Sequence, residues 1–209
     1  VAEYVSVAEA IATANNTSVT VKGIVGPSLV NQVGFYLIDE SGAIPVRVES
    51  TVMATLEIGY EVIISGTRTV TKDGGGQICI DGGGVVTNNY GSHSYSTASF
   101  ITGKTIPEIL SVSDSAEATN NVYVTSAKIF VNEDAYSVTV QLQDPDGSSG
   151  YLLLYSGGKD QYNWLKSYNK QTITVEVALC DWNARGLKGC VLAVVNEDGT
   201  KVLNTLNFQ

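Results

Sequence analysis

The sequence predicts an all-β protein of two tandem five-stranded barrels, one over residues 1–98 and one over 99–209, each led by a short capped helix. Three observations predict it. Runs rich in β-branched residues recur at short intervals, bounded by Gly-, Asn- and Asp-rich turns. Two Ser/Thr-x-x-Glu capping boxes, Ser6 to Glu9 and Thr105 to Glu108, each precede one set of runs. Turn residues repeat at a single spacing: Asp39 with Gly42 maps onto Asp144 with Gly147 at an offset of 105, and Asn16 onto Asn121. An internal duplication of a unit of about 100 residues accounts for that spacing.

The elements follow in order. Alanines after Ser6-Val7-Ala8-Glu9 favour a short helix. Ser18–Val25 alternates apolar and polar residues, as a half-buried strand does. Phe35–Asp39 and Ile44–Val48 flank Glu40-Ser41-Gly42 and read as a hairpin. Glu61–Val70 is a fourth strand and Gln77–Ile80 a short fifth, between Gly74-Gly75-Gly76 and Gly82-Gly83-Gly84. Those triplets read as turns or bulges, since neither fits a phosphate loop. Residues 85–100 are rich in Ser, Thr, Asn and Gly and read as a linker or a last irregular strand. Thr105-Ile106-Pro107-Glu108 then opens a second helix, with proline just inside its start. Val122–Val131, Ser137–Asp144, Tyr151–Tyr155, Gln171–Leu179 and Cys190–Val195 repeat the five strands. Tyr162, Trp164 and Tyr168 lie between the third and fourth of these at helical spacing, which favours core plugs over a binding platform.

Five short, evenly spaced strands suit a small closed barrel better than a sandwich of seven or more, which is the OB-fold pattern. Closure also removes exposed strand edges.

Val7-Ala8-Glu9-Ala10, Val21-Lys22-Gly23-Ile24-Val25, Phe35-Tyr36-Leu37-Ile38-Asp39-Glu40-Ser41-Gly42 and Gly59-Tyr60-Glu61-Val62 to Gly66 carry a resemblance. Together, over about residues 4–86, they resemble the OB-fold domains of bacterial extracellular nucleases and cell-surface lipoproteins. The second half resembles them more distantly and shows Ala127-Lys128-Ile129 where the first has the Gly23 motif. The resemblance implies an exported, extracellular or cell-surface protein in which such a domain is an accessory module. The catalytic domain of such nucleases is not among these residues. The chain begins at Val1 and its one methionine is Met53, as in a processed or truncated product, and removal of a signal peptide or lipoprotein leader is one such processing. A lipid anchor upstream of Val1 fits that reading.

Composition limits the function. Hydrophobic residues make up 44% of the chain, too many for a disordered one, and no apolar run approaches the roughly 20 residues of a membrane span. Twelve Lys+Arg against 21 Asp+Glu give a net charge of -9, shared as -5 and -4 between residues 1–100 and 101–209. Duplex-DNA binders show the opposite balance. No Cys/His spacing suits zinc, and no cofactor or metal site is expected. Cys180 and Cys190 flank a hairpin, so the readings are a cross-strand disulfide or two buried thiols. The single histidine, His93, lies in a polar stretch with nothing to hold an imidazole. Asp39/Glu40, Glu133/Asp134 and Asp144/Asp146 all fall at turns, where such side chains bond their own backbone. No enzymatic constellation remains.

OB barrels bind ligands across strands 2 and 3, between the loops that join strands 1–2 and 4–5. Alternation puts Phe35, Leu37, Ile44, Val46 and Val48 inside and Tyr36, Ile38 and Arg47 outside. In the second unit Val138, Val140, Leu142, Leu152 and Leu154 are core, while Gln141, Gln143, Tyr151 and Tyr155 face out. Trp182 and Arg185 sit on the rim loop. The ligand candidates are therefore Tyr36, Arg47, Gln141, Gln143, Tyr151, Tyr155, Trp182 and Arg185. Amides and aromatics suit a glycan; single-stranded nucleic acid fits the aromatics but not the charge. The competing reading is a structural or protein-interaction spacer with no small ligand.

Overall fold

Ser6 caps the first helix as its sequence predicts. In the computed structural model, which describes residues 3–70, 76–112, 120–147, 150–155, 159–181 and 187–209, α1 (Val7–Ala12) carries both arms of the capping box. The strands β1 (Thr17–Ser28), β2 (Gly34–Ile38), β3 (Ala43–Arg47), β4 (Glu61–Val70) and β5 (Ile78–Asn89) follow, with α2 (Ser50–Met53) between β3 and β4. They form a closed barrel in the order β1-β2-β3-β5-β4. Its seam is a parallel contact between β3 and β5 at Val46↔Ile80. The β2–β3 turn also serves α1: the Val7 and Ala8 amides donate to Asp39 Oδ2 and Ser41 Oγ, both at 2.9 Å. Amides that would be orphaned at a helix start are thus satisfied by the barrel.

The predicted alternation holds in the barrel. Phe35, Leu37, Ile44, Val46 and Val48 all join its core with Val21, Ile64 and Ile80. The glycine triplet at 82–84 is part of β5 rather than its end. It sits where the β4–β5 register shifts, and a side chain at Gly83 would meet Val46 Cγ1 at 2.7 Å. β5 therefore runs on to Asn89 and absorbs part of the expected linker. Residues 90–98 are then pinned, with His93 N–H donating to the Gly59 carbonyl at 2.8 Å.

The second unit comprises β6 (Ile101–Thr102), α3 (Ile106–Leu110), β7 (Val122–Glu133), β8 (Val138–Gln143), β9 (Tyr151–Leu153), a 3₁₀ helix (Lys159–Tyr168), β10 (Thr172–Asp181), β11 (Leu187–Val195) and β12 (Lys201–Leu203). Thr105 and Glu108 form the predicted capping box of α3. Strand order is β12-β11-β10-β7-β8-β9, with β6 beside β7. The run β9-β8-β7-β10-β11 repeats the succession β3-β2-β1-β4-β5. It does not close, which corrects the expectation of a second barrel. β9 has only three residues, and one parallel bridge, Leu154↔Gly189, joins that side to β11.

What fills the open sheet comes partly from the first barrel. Leu29, Val30, Tyr36, Ile38 and Ala43 belong to the same buried cluster as Ile129, Val140, Leu152, Tyr162 and Leu179. The core thus crosses the boundary expected at residue 98. Polar bonds at that junction are paired. Tyr36 donates to Gln77 Oε1 at 3.1 Å, and Gln77 Nε2 donates to the Leu179 carbonyl at 3.1 Å. The Asn120 amide accepts from Ile78 N–H at 2.9 Å and donates to Ile78 C=O at 2.8 Å, as a strand neighbour would. Asn207 Nδ2 donates to the carbonyls of Gln32 and Gly34 at 2.8 and 2.7 Å. Glu176, buried in β10, accepts from the Tyr95 hydroxyl at 2.6 Å and pairs with Lys201. Burial, with the Glu176 charge beside it, pushes the Tyr95 hydroxyl well above the usual tyrosine range.

Cys180 and Cys190 are two buried thiols with their sulfurs 3.3 Å apart, and no disulfide joins them. Burial raises the hydroxyls of Tyr36 and Tyr162 far above their ordinary value, and both cysteines add to the effect.

Two predictions follow from these contacts. Asn120→Ala leaves both backbone groups of Ile78 buried without that partner, so urea denaturation should show a loss of about 2–4 kcal/mol, the cost of one or two orphaned groups. The second concerns acid. Backbone bonds from Ser6 and Thr105 hold the Glu9 and Glu108 carboxyls below their ordinary value. A depressed folded-state pKa means stability present above about pH 4.3, the unfolded value, and lost as pH falls through the folded one. The urea midpoint should therefore fall less between pH 6 and pH 3 in a Glu9→Gln/Glu108→Gln variant than in the parent.

Candidate functional site

Alternation along β7 and β8 puts Ala127, Ile129, Val138, Val140 and Leu142 into the core. It therefore sends Lys128, Phe130, Thr139, Gln141 and Gln143 to the other face, where all five are half-buried. Strand register aligns them in rows. Lys128 lies opposite Gln143, which lies opposite Tyr151; Phe130 lies opposite Gln141, which lies opposite Leu153. Directly paired residues share a face, so these six side chains form one platform. It spans three strands, roughly 10 Å across at ordinary strand spacing. Lys128 Nζ lies 5.5 Å from the Phe130 ring centroid, within cation–π range.

The β7–β8 turn, at one end of these strands, carries an exposed aromatic that the sequence pattern does not single out. Tyr136 is 91% exposed at the tip of that turn. Asp134 Oδ1 accepts from the Tyr136 and Ser137 amides, both at 2.7 Å, so the turn that carries the ring is braced. The signal was an aromatic inside an Asp-x-x-Ser turn, in the loop between strands 1 and 2 of the unit.

Of the eight predicted ligand candidates, three come together here: Gln141, Gln143 and Tyr151. Tyr36 does point out of its barrel but is buried against the second unit, so its face is not available to a ligand. Ile38 shares that fate. Tyr155 is buried as well. The alternation runs on through buried Leu154 and breaks at Tyr155, whose N–H donates to the Gly189 carbonyl while its own carbonyl accepts from the Tyr162 hydroxyl. Arg47 lies apart, half-exposed, with Nη1 3.6 Å from Asp81 Oδ1. It lines a cleft of about 570 Å³ with Asn31, Gln32 and Glu49. Trp182 and Arg185 lie outside the described residues. Tyr162 is a core plug, and Trp164 and Tyr168 pack half-buried against the same cluster.

The carboxylates expected to bond their own turns divide: Asp39 and Asp144 do so, Asp39 also reaches Val7, and Glu133 instead pairs across to Lys166. Asp39 Oδ1 accepts from Ser41 N–H and Gly42 N–H, Glu133 pairs with Lys166 at 2.9 Å, and Asp144 Oδ1 accepts from Asp146 N–H at 3.3 Å. Among the described residues no group of three His, Cys, Asp or Glu is placed to hold a metal ion, and no helix is long and apolar enough to cross a membrane. His93 is exposed. A further groove of about 730 Å³ lies between α1, Lys22, Glu61 and residues 94 and 96.

No family model matches the chain, and no curated protein matches it. A solved structure of a murine DNA-binding protein bound with double-stranded DNA is similar over 80% of this chain and 89% of its own. The identity is 10% and the TM-score 0.39, a likeness that carries no argument about function.

The exposures order the eleven tyrosines for chemical modification. Limited nitration with peptide mapping should label Tyr136 first. Tyr36 and Tyr162 should stay unlabelled until the protein unfolds, and early labelling of Tyr36 contradicts the buried face.

Proposed function

We propose that the chain is a non-catalytic binding module that holds a glycan across the outer face of β7, β8 and β9. One observation carries this reading: two register rows set amides between a tyrosine, a phenylalanine and a lysine on one open sheet face. Glutamine amides both donate to and accept from sugar hydroxyls. Aromatic rings offer apolar faces with little conformational entropy to lose. Single-stranded nucleic acid is the poorer fit, because a net charge of -9 opposes a strand with one phosphate per nucleotide.

In this reading both units are of the OB type and arose by duplication. The order β1-β2-β3-β5-β4 and the parallel β3–β5 seam support the first assignment. The matching succession in the second sheet supports the other, with closure reduced to one bridge. The first barrel acts as scaffold and the second unit as reader. The resemblance of residues 4–86 supports placing the module on an exported cell-surface protein.

A spacer with no small ligand is the second reading. It is favoured by the use of the β2–β3 face in an intramolecular contact. A glycan array followed by calorimetric titration separates the two. The binding reading expects hits that weaken about tenfold or more in Tyr151→Ala and in Tyr136→Ala, the size of a lost stacking contact. It also expects no anisotropy change with labelled oligo-dT at physiological salt. Silence across the array favours the spacer, and micromolar binding of oligo-dT overturns the choice of glycan over nucleic acid.

A further inference from the structure

The platform carries a cation and no acid in a protein that is strongly acidic elsewhere. Most described cations near a carboxylate are paired: Lys22 with Glu61, Arg47 with Asp81, Lys104 with Glu108, Lys166 with Glu133 and Lys201 with Glu176. Lys128 pairs with no carboxylate among the described residues. It is held instead over the Phe130 ring, and the residues that share its face include Thr172 on β10 with Gln141, Gln143, Tyr151, Leu153 and Thr139. A half-buried ammonium beside apolar and amide groups is screened less than one on an exposed stem. It can meet an anion brought by a ligand without first breaking an ion pair.

The charge density of that anion is limited from the other side. A densely charged chain would bring several anions onto a platform with one cation, against a net charge of -9. Chain length along β8 from Thr139 to Gln143 is about 14 Å at strand rise, so the match is about one anionic group per footprint of that length.

We infer that the glycan on this face is a sparsely carboxylated one, of the uronic-acid class, with Lys128 receiving the carboxylate; this rests on the glycan reading above. The Gln141 and Gln143 amides then serve the hydroxyls, and Tyr151 and Phe130 the sugar faces.

The test uses the whole chain and matched probes that carry one carboxylate per disaccharide: fragments of hyaluronan, unsulfated chondroitin and heparosan, each against its fully methyl-esterified form of the same length. Esterification removes the charge and keeps the ring. At least one acid should bind about tenfold or more tighter than its ester, the size of a hydrogen bond to a charged group. Lys128→Gln should bind that acid and its ester alike, with an unchanged urea midpoint. Lys128→Arg should keep part of the preference, and Tyr151→Ala should weaken acid and ester equally. Equal affinity of the parent for acid and ester, or a preference that survives Lys128→Gln, overturns the anionic assignment and leaves a neutral-glycan site standing. Binding of no acid and no ester, with the neutral array also silent, overturns the glycan reading itself.

Discussion

Tyr36 belongs to the barrel by chain connectivity and to the neighbouring sheet by packing, and this double membership constrains what surrounds it. Its backbone sits in β2 opposite Pro45. Its ring lies in the cluster that holds Tyr162, Leu179 and Cys190. Burying a ring of this size stabilises by about 1.5–3 kcal/mol, but a buried hydroxyl must keep a partner or cost much of that gain. Gln77 supplies the partner and passes the bond on to Leu179. The open second sheet is therefore completed by a side chain and an amide that reach across from the first barrel.

Which outer sheet face stays open follows from that packing. A five-stranded barrel exposes the outer face of its second and third strands unless something covers it, and in the first barrel the second unit does. Tyr36, Ile38 and Ala43 are spent on stability. The corresponding strands of the second unit, β8 and β9, keep polar and aromatic side chains at the surface. Anchors at the junction hold the two units in one arrangement: Asn120 on β5, Asn207 on the β1–β2 loop, and Glu176 between Tyr95 and Lys201. The open face of one unit is thus presented on a support made by both.

Much of the local structure was legible in the sequence because it depends on neighbours along the chain. Both capping boxes, the two hairpins and the inward residues Phe35, Leu37, Val140 and Leu142 come from patterns within a few residues. What lay beyond reach depends on distant partners. Tyr36 was correctly assigned to the outer face of β2, and only the packing of the second unit shows that face to be interior. Tyr155 broke the alternation because β9 stops at Leu153 and the chain turns into the core. The repeat spacing also hides a slip. An offset of 105 aligns Leu37 with Leu142, both inward, but the inward residues of β1 and β7 are odd-numbered in each, as Val21 and Ala127 show. An odd offset would invert that strand, so the halves do not align at one spacing throughout. Tyr136 lies in a turn whose Asp134 pattern predicts the backbone bonds and leaves the exposure of the ring open.

The central claim is that the second sheet borrows part of its core from the first barrel, and amide hydrogen exchange tests it most directly. Exchange should be followed by mass spectrometry in the parent and in Tyr36→Ala. The account predicts that protection falls in β10 and β11, around Leu179 and Cys190, at least as much as in β1 and β4 of the barrel that carries the substitution. Loss confined to the barrel, with β10 and β11 as protected as before, would contradict it.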